Sequence, residues 1–149
     1  MNRRNRGFTL VEILIVVIIL GILAAIVIPQ FTEASNDARK SALVSDLQTV
    51  RGQLELYKVQ HLDTYPAAAT LVNQLTNKTD SAGTVGTDPN VHIYGPYLQK
   101  FPSNPFVSGA NTATVNTGTA TVPGDGTSGW YFETDLGKFS PNDSEFSGL

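Results

Sequence analysis

The feature that most constrains this chain is an apolar run near its N-terminus, from Phe8 to Ile28. A helix rises about 1.5 Å per residue, so these 21 residues would span about 30 Å, the thickness of a bilayer's hydrocarbon core. Apolar side chains would lie on every side of that helix, which excludes an amphipathic surface helix. Residues 8–29 are therefore predicted to form a membrane-spanning helix.

One carboxylate, that of Glu12, lies inside the run. A charge at membrane depth costs on the order of 2.5–3.5 kcal/mol unless it is paired or neutralised, and we find no partner for it within the run. The nearest candidate is the α-amine that Phe8 would gain if the chain were cut after Gly7, on the same helix or on a neighbouring copy. Such a pair would neutralise both charges and set the axial register of packed helices.

Residues 6–31, RGFTLVEILIVVIILGILAAIVIPQF, resemble the N-terminal segment of the type IV pilin superfamily, which includes pilins and the pseudopilins of type II secretion. The resemblance rests on a basic leader, a glycine followed by phenylalanine, and a glutamate five residues after the glycine. It implies that a membrane peptidase cuts after Gly7 and methylates Phe8. It also implies that Glu12 serves filament assembly.

Two residues that disfavour a helix occur in this region: Gly21 lies within the run, and Pro29 follows its last residue. Proline removes a backbone donor and clashes with the preceding turn, which predicts a kink near residues 25–29. The resemblance further implies that the helix loosens between Gly21 and Pro29 in an assembled filament. A proline at the membrane edge is the simpler interpretation.

An ordinary secretory signal and a plain single-pass anchor are the competing interpretations of the run. A secretory signal has an apolar region of only about 7–15 residues, which is shorter than this one. A plain anchor would explain neither Glu12 nor the junction of Gly7 and Phe8. The pilin-like interpretation accounts for all of these residues.

Residues 30–64 continue the helix with an amphipathic pattern. Apolar residues recur at alternating spacings of four and three, which places them on one helical face: Leu43, Leu47, Val50, Leu54, Tyr57 and His61. We interpret His61 as a packed histidine rather than a ligand. Glu55 lies within one turn of Arg51 and Lys58, which predicts ordinary surface pairs. This half of the helix is expected to carry the globular head.

Residues 65–149 are predicted to form that head. Pro66 ends the long helix, a short helix follows at residues 67–75, and the Pro-rich segment 95–106 is expected to lie irregularly on the core. Two hairpins are predicted, a polar one at residues 112–122 and a stronger one at 130–139. The fold class is therefore α+β, with the long helix packed against a small antiparallel sheet.

Charge and composition limit what the chain can bind. Residues 1–7 form the basic leader: they hold three of the ten basic residues and none of the thirteen acidic ones, so cleavage would leave an acidic chain. An acidic chain argues against nucleic acid as a partner. The leader's Arg3, Arg4 and Arg6 predict a cytoplasmic N-terminus and a head on the far side of the membrane. The chain has no cysteine, so disulfides are excluded.

No catalytic motif is present, so we expect no enzyme. The order of residues 54–66 and the Pro-rich segment resemble G-type pseudopilins, and this resemblance implies calcium in a C-terminal loop. Acidic residues cluster late in the chain, at Asp125, Glu133, Asp135, Asp143 and Glu145, and the first three are the candidates for it. The ligand pattern does not match residue by residue, and a solvated acidic surface is the favoured interpretation.

The expected function is that of a subunit in a helical filament built at a bacterial inner membrane, foremost the pseudopilus of type II secretion. The alternatives are a type IV pilin of a surface pilus, used for adhesion, motility or DNA uptake, and an extracytoplasmic ligand-binding module on a single-pass anchor. The resemblance implies other pilin-like subunits, a prepilin peptidase, an inner-membrane platform protein and a cytoplasmic assembly ATPase as partners.

Overall fold

The computed structural model describes residues 7–149. Its elements in chain order are helix α1 (Leu10–Gln60), a short 3₁₀ helix (Ala68–Thr70), helix α2 (Leu71–Thr76), and strands β1 (Val115–Gly118), β2 (Trp130–Glu133) and β3 (Lys138–Pro141). The described residues divide into two units, 7–40 and 41–149. The predicted α+β class is confirmed. The leader arginines Arg3, Arg4 and Arg6 lie outside the described residues.

The second unit has a core built on the C-terminal part of α1. All six residues of the predicted helical face are buried, which confirms the amphipathic pattern. They pack with aromatic residues of the sheet, Trp130, Phe132 and Phe139, in one cluster. A small sheet alone buries too little apolar surface to be stable, so the helix supplies the other wall of this core.

The sheet is mixed, with the strand order β1-β2-β3. β2 and β3 are antiparallel and pair Phe132 with Phe139, as the predicted hairpin requires. β1 runs parallel to β2 and pairs Val115 with Trp130, so the predicted hairpin at residues 112–122 is wrong. The middle of that stretch, where a hairpin needs its turn, is β1 itself, Val115–Gly118. Residues 119–121 are exposed and carry no large apolar side chain to pack on the core, so they do not return as a second strand.

The end of α1 is fastened by aromatic and polar contacts. The ring of His61 stacks on that of Tyr57 at 3.7 Å between centroids. Its Nδ1 lies 2.8 Å from the carbonyl oxygen of Tyr57, and its Nε2 lies 3.0 Å from Oγ1 of Thr79. The histidine is 4% exposed, as the prediction of a packed residue requires.

Lys58 keeps the predicted electrostatic attraction to Glu55, whereas the predicted pair of Glu55 with Arg51 is replaced by other contacts. Arg51 donates to the carbonyl oxygens of Phe139 (2.9 Å) and Leu149 (2.7 Å) instead of pairing with Glu55. Glu55 accepts a hydrogen bond from the hydroxyl of Tyr65 at 2.7 Å. Long-range packing, which helical spacing does not reveal, brings these groups together.

Candidate assembly site

The first turn of α1 contains a reciprocal capping arrangement. Oε2 of Glu12 accepts hydrogen bonds from both the backbone N–H and the hydroxyl of Thr9, each at 2.8 Å. The backbone N–H of Glu12 donates in turn to the hydroxyl of Thr9 at 3.2 Å. This is a capping box, in which a threonine at the helix start and a glutamate three residues later satisfy N–H groups that have no partner within the helix.

The capping box corrects the prediction that Glu12 has no partner within the run. Thr9 supplies neutral donors, so the carboxylate is hydrogen-bonded, although no opposite charge among residues 7–149 compensates it. The spacing of threonine and glutamate, Thr-x-x-Glu, is itself a signal of a helix start and could have been read from the sequence. The nitrogen of Phe8 belongs to a peptide bond in the full chain, so the predicted pairing with Glu12 concerns the cleaved form.

The run from Phe8 to Ile28 in the first unit is apolar on all sides, and this unit has no core of its own. Every large apolar side chain of the run is at least half exposed, from 51% at Ile15 to 84% at Phe8. Among the described residues, α1 is the one helix long and apolar enough to cross a membrane. Such a surface requires lipid or other apolar helices around it.

Gly21 and Pro29 both lie within α1, which continues through them without interruption. A Cβ added at Gly21 would meet nothing within 4 Å, so no packing within the chain requires a glycine there. The hydroxyl of Thr32 donates to the carbonyl oxygen of Ile28 at 3.1 Å, close to the proline. The kink and the loosening of the helix remain predictions.

The three acidic candidates for a cation site do not form one. Among the described residues, no group of three or more acidic or histidine side chains is placed to hold a metal. Oδ1 of Asp125 accepts from the backbone N–H and hydroxyl of Thr127 and from Nδ2 of Asn142. These bonds, those from Thr127 foremost, hold the pKa of Asp125 below its usual range. Glu133 ends β2 and Asp135 lies in the turn after it. The donor set does not fit calcium.

Comparisons with known proteins agree with the features of the first turn. The family described as "Prokaryotic N-terminal methylation motif" matches residues 2–28, a stretch that contains Gly7, Phe8 and Glu12. The type II secretion system core protein G of Aeromonas hydrophila is 33% identical over 105 residues, which is 70% of each chain. The chain belongs to the type II secretion system core protein G family.

Other members of the core protein G family show similar agreement. The protein of Dickeya chrysanthemi is 34% identical over 106 residues, covering 71% of this chain and 66% of its own. That of Klebsiella pneumoniae is 32% identical over 108 residues, covering 71% and 72%. No solved structure gives a significant match.

Proposed function

We propose that this protein is a structural subunit that polymerises into a helical filament at the bacterial inner membrane, the pseudopilus of type II protein secretion. The observation that carries the proposal is the exposed apolar helix with one carboxylate, Glu12, in its first turn. Membership of the core protein G family supports it and favours the pseudopilus over a surface pilus.

Assembly follows from the geometry of the first turn. Cleavage after Gly7 turns the nitrogen of Phe8 into a charged amine. Thr9 engages only Oε2 of Glu12, which leaves Oε1 as an acceptor for the amine of a neighbouring copy. A charge pair in a low-dielectric environment is far stronger than in water, so its formation selects one axial register of the packed helices.

The chain is anchored in the inner membrane by α1 before it assembles. Membrane helices associate through close packing rather than through a hydrophobic driving force, and the fully apolar run offers such a surface on every side. The three arginines of the leader favour a cytoplasmic N-terminus, which places the head in the periplasm. Extraction of the helix from lipid into a filament needs work from outside the chain.

The proposed partners supply that work and the processing. A prepilin peptidase cuts after Gly7 and methylates Phe8, and a platform protein and a cytoplasmic ATPase drive assembly with other pilin-like subunits. These partners rest on the resemblance and on the family. The ATP chemistry belongs to the motor, and we assign no catalytic step to this chain.

Replacement of Glu12 tests the proposal. Glu12→Ala should abolish the assembly of cross-linkable filaments and the secretion that depends on them, while the head unfolds at the same temperature as in the wild type. Glu33→Ala is the matched control, because Glu33 is an exposed glutamate on the same helix. Normal filaments and secretion from the Glu12 variant would refute the assembly role and favour a simple anchored head.

Mass spectrometry of the protein purified from cells tests the processing step. The expected product begins at Phe8 and carries one added methyl group on its α-nitrogen. A chain that keeps residues 1–7, or is cut at another bond, would contradict the proposal. A strain that lacks this gene separates the two filament types: loss of type II secretion with surface pili unchanged supports the pseudopilus, whereas loss of surface pili with normal secretion would contradict it.

A further inference from the structure

Two buried asparagines fasten the C-terminal part of the head. Asn104 belongs to the Pro-rich segment 95–106, and Asn142 follows β3; both are fully buried. Each side chain bridges segments that are distant in sequence. Together with Asp125, Ser128 and Asp143 they form what we call the asparagine network.

Asn142 satisfies every polar atom that it has. Its Nδ2 donates to Oδ1 of Asp125 and to the hydroxyl of Ser128, both at 2.9 Å. Its Oδ1 accepts from the backbone N–H of Gly124 at 3.0 Å. Its backbone N–H and carbonyl oxygen bond to Gly129 and Gly126. The loop before β2 is thereby held against the end of β3.

Asn104 and Asp143 extend the network to the last residues. Nδ2 of Asn104 donates to the carbonyl oxygen of Gly129 and to Oδ2 of Asp143, both at 2.9 Å. The other carboxylate oxygen, Oδ1, accepts from the backbone N–H groups of Glu145 (3.1 Å) and Phe146 (2.7 Å). Asp143 is 4% exposed, and three N–H groups surround its carboxylate.

The orientation of both amide groups follows from backbone groups that can only donate. The N–H of Gly124 faces Oδ1 of Asn142, and the N–H of Phe106 faces Oδ1 of Asn104 at 2.8 Å. The NH₂ groups must therefore point toward Asp125 and Asp143. A calcium ion needs six to eight oxygen atoms directed at it, whereas these carboxylates face N–H donors. A cation that used Oδ1 of Asp125 or either oxygen of Asp143 would have to compete with these donors.

We propose that the asparagine network holds the C-terminal part of this head in the role that the resemblance to G-type pseudopilins assigns to calcium, so that the stability of the head does not depend on calcium. In the network, neutral N–H donors rather than a divalent cation contact the oxygens of both carboxylates.

Thermal unfolding of the full chain in detergent tests the proposal. Trp130 is the single tryptophan of the chain and is fully buried. Its carbonyl oxygen accepts a hydrogen bond from the hydroxyl of Ser128, which belongs to the network, so tryptophan fluorescence reports unfolding of this region. We expect the same Tm in excess EDTA and in millimolar calcium. A ligand that bound only the folded head at a hundred times its Kd would raise Tm by about 10 °C. A rise of that size would overturn the proposal.

An isosteric substitution tests the network itself. Asn142→Asp replaces the NH₂ group by an oxygen that faces Asp125, so we expect Tm to fall by about 4–12 °C in EDTA. Asn90→Asp is the matched control, because Nδ2 of Asn90 donates to Oδ1 of Asp88 at 3.3 Å on the exposed surface. Equal Tm values for the two variants would overturn the role of Asn142. If the Asn142→Asp variant fails to fold, the comparison of wild-type Tm in EDTA and in calcium still tests whether the head depends on calcium. Neither measurement involves filament assembly, so their outcome is independent of the proposed function.

Discussion

Truncation of Leu54 tests whether α1 is a wall of the head's core. Leu54 is 1% exposed and packs in the same cluster as Trp130 and Phe132. Leu54→Ala removes three buried carbon atoms and leaves a cavity, which costs about 2–5 kcal/mol in comparable cores. For a head of this size, about 4 °C of Tm is lost per kcal/mol. We therefore expect Tm to fall by about 8–20 °C.

Leu56 supplies the matched control, because it is a leucine on the same helix two residues away and is 43% exposed. Leu56→Ala should lower Tm by less than about 4 °C, since little apolar surface returns to water. The assay is Trp130 fluorescence during heating of the full chain in detergent. Equal shifts for the two variants, or no shift for Leu54→Ala, would refute the account of the core.

Two further predictions concern the head. Burial raises the pKa of Tyr97 to about 12, against about 10 in an unfolded chain, so stability present below pH ~10 should be lost as pH rises through ~12; Tyr97→Phe should show less of this loss in denaturant titrations. Gly52→Ala should stabilise by about 0.5–1 kcal/mol, because a helical Cβ there meets open space, whereas Gly83→Ala should destabilise by more than about 1 kcal/mol. Gly83 has φ +81°, and its added Cβ would collide with the hydroxyl of Tyr57. Equal effects of the two alanines in urea unfolding would contradict both assignments.

The parts of the fold that could be predicted are those in which the spacing of apolar residues along the chain indicates which side chains are buried. The alternation of four and three from Leu43 to His61 requires one buried helical face, and that face is buried. The alternation of Trp130 and Phe132 likewise places both on the core side of β2. Periodicity determines such features locally, because only one face of a helix or strand can meet the core.

The parts that were wrong or missed depend on pairings between distant segments. The polar stretch at residues 112–122 has the composition of a hairpin, but β1 pairs in parallel with β2. Composition does not reveal a pairing between strands that are separated in sequence. Arg51 meets the backbone of β3 rather than its neighbour on the helix. The roles of Asn104 and Asn142 could not be predicted, because an asparagine's hydrogen bonds depend on which backbone groups fold onto it. The capping box of Thr9 and Glu12 is different, because it depends only on the Thr-x-x-Glu spacing and was predictable from the sequence.

The two units of the chain separate folding from assembly in a way that experiments can use. Every described residue of the first unit, from Gly7 to Lys40, is exposed in the single chain, whereas the core lies wholly within residues 41–149. A substitution such as Glu12→Ala therefore changes no buried contact of the head, and a loss of filaments in that variant cannot be attributed to unfolding of the head's core. Leu54→Ala has the opposite character, since it weakens the head and leaves the first turn of α1 intact. If Glu12→Ala lowered the Tm of the head as much as Leu54→Ala, the division of roles along α1 would be wrong.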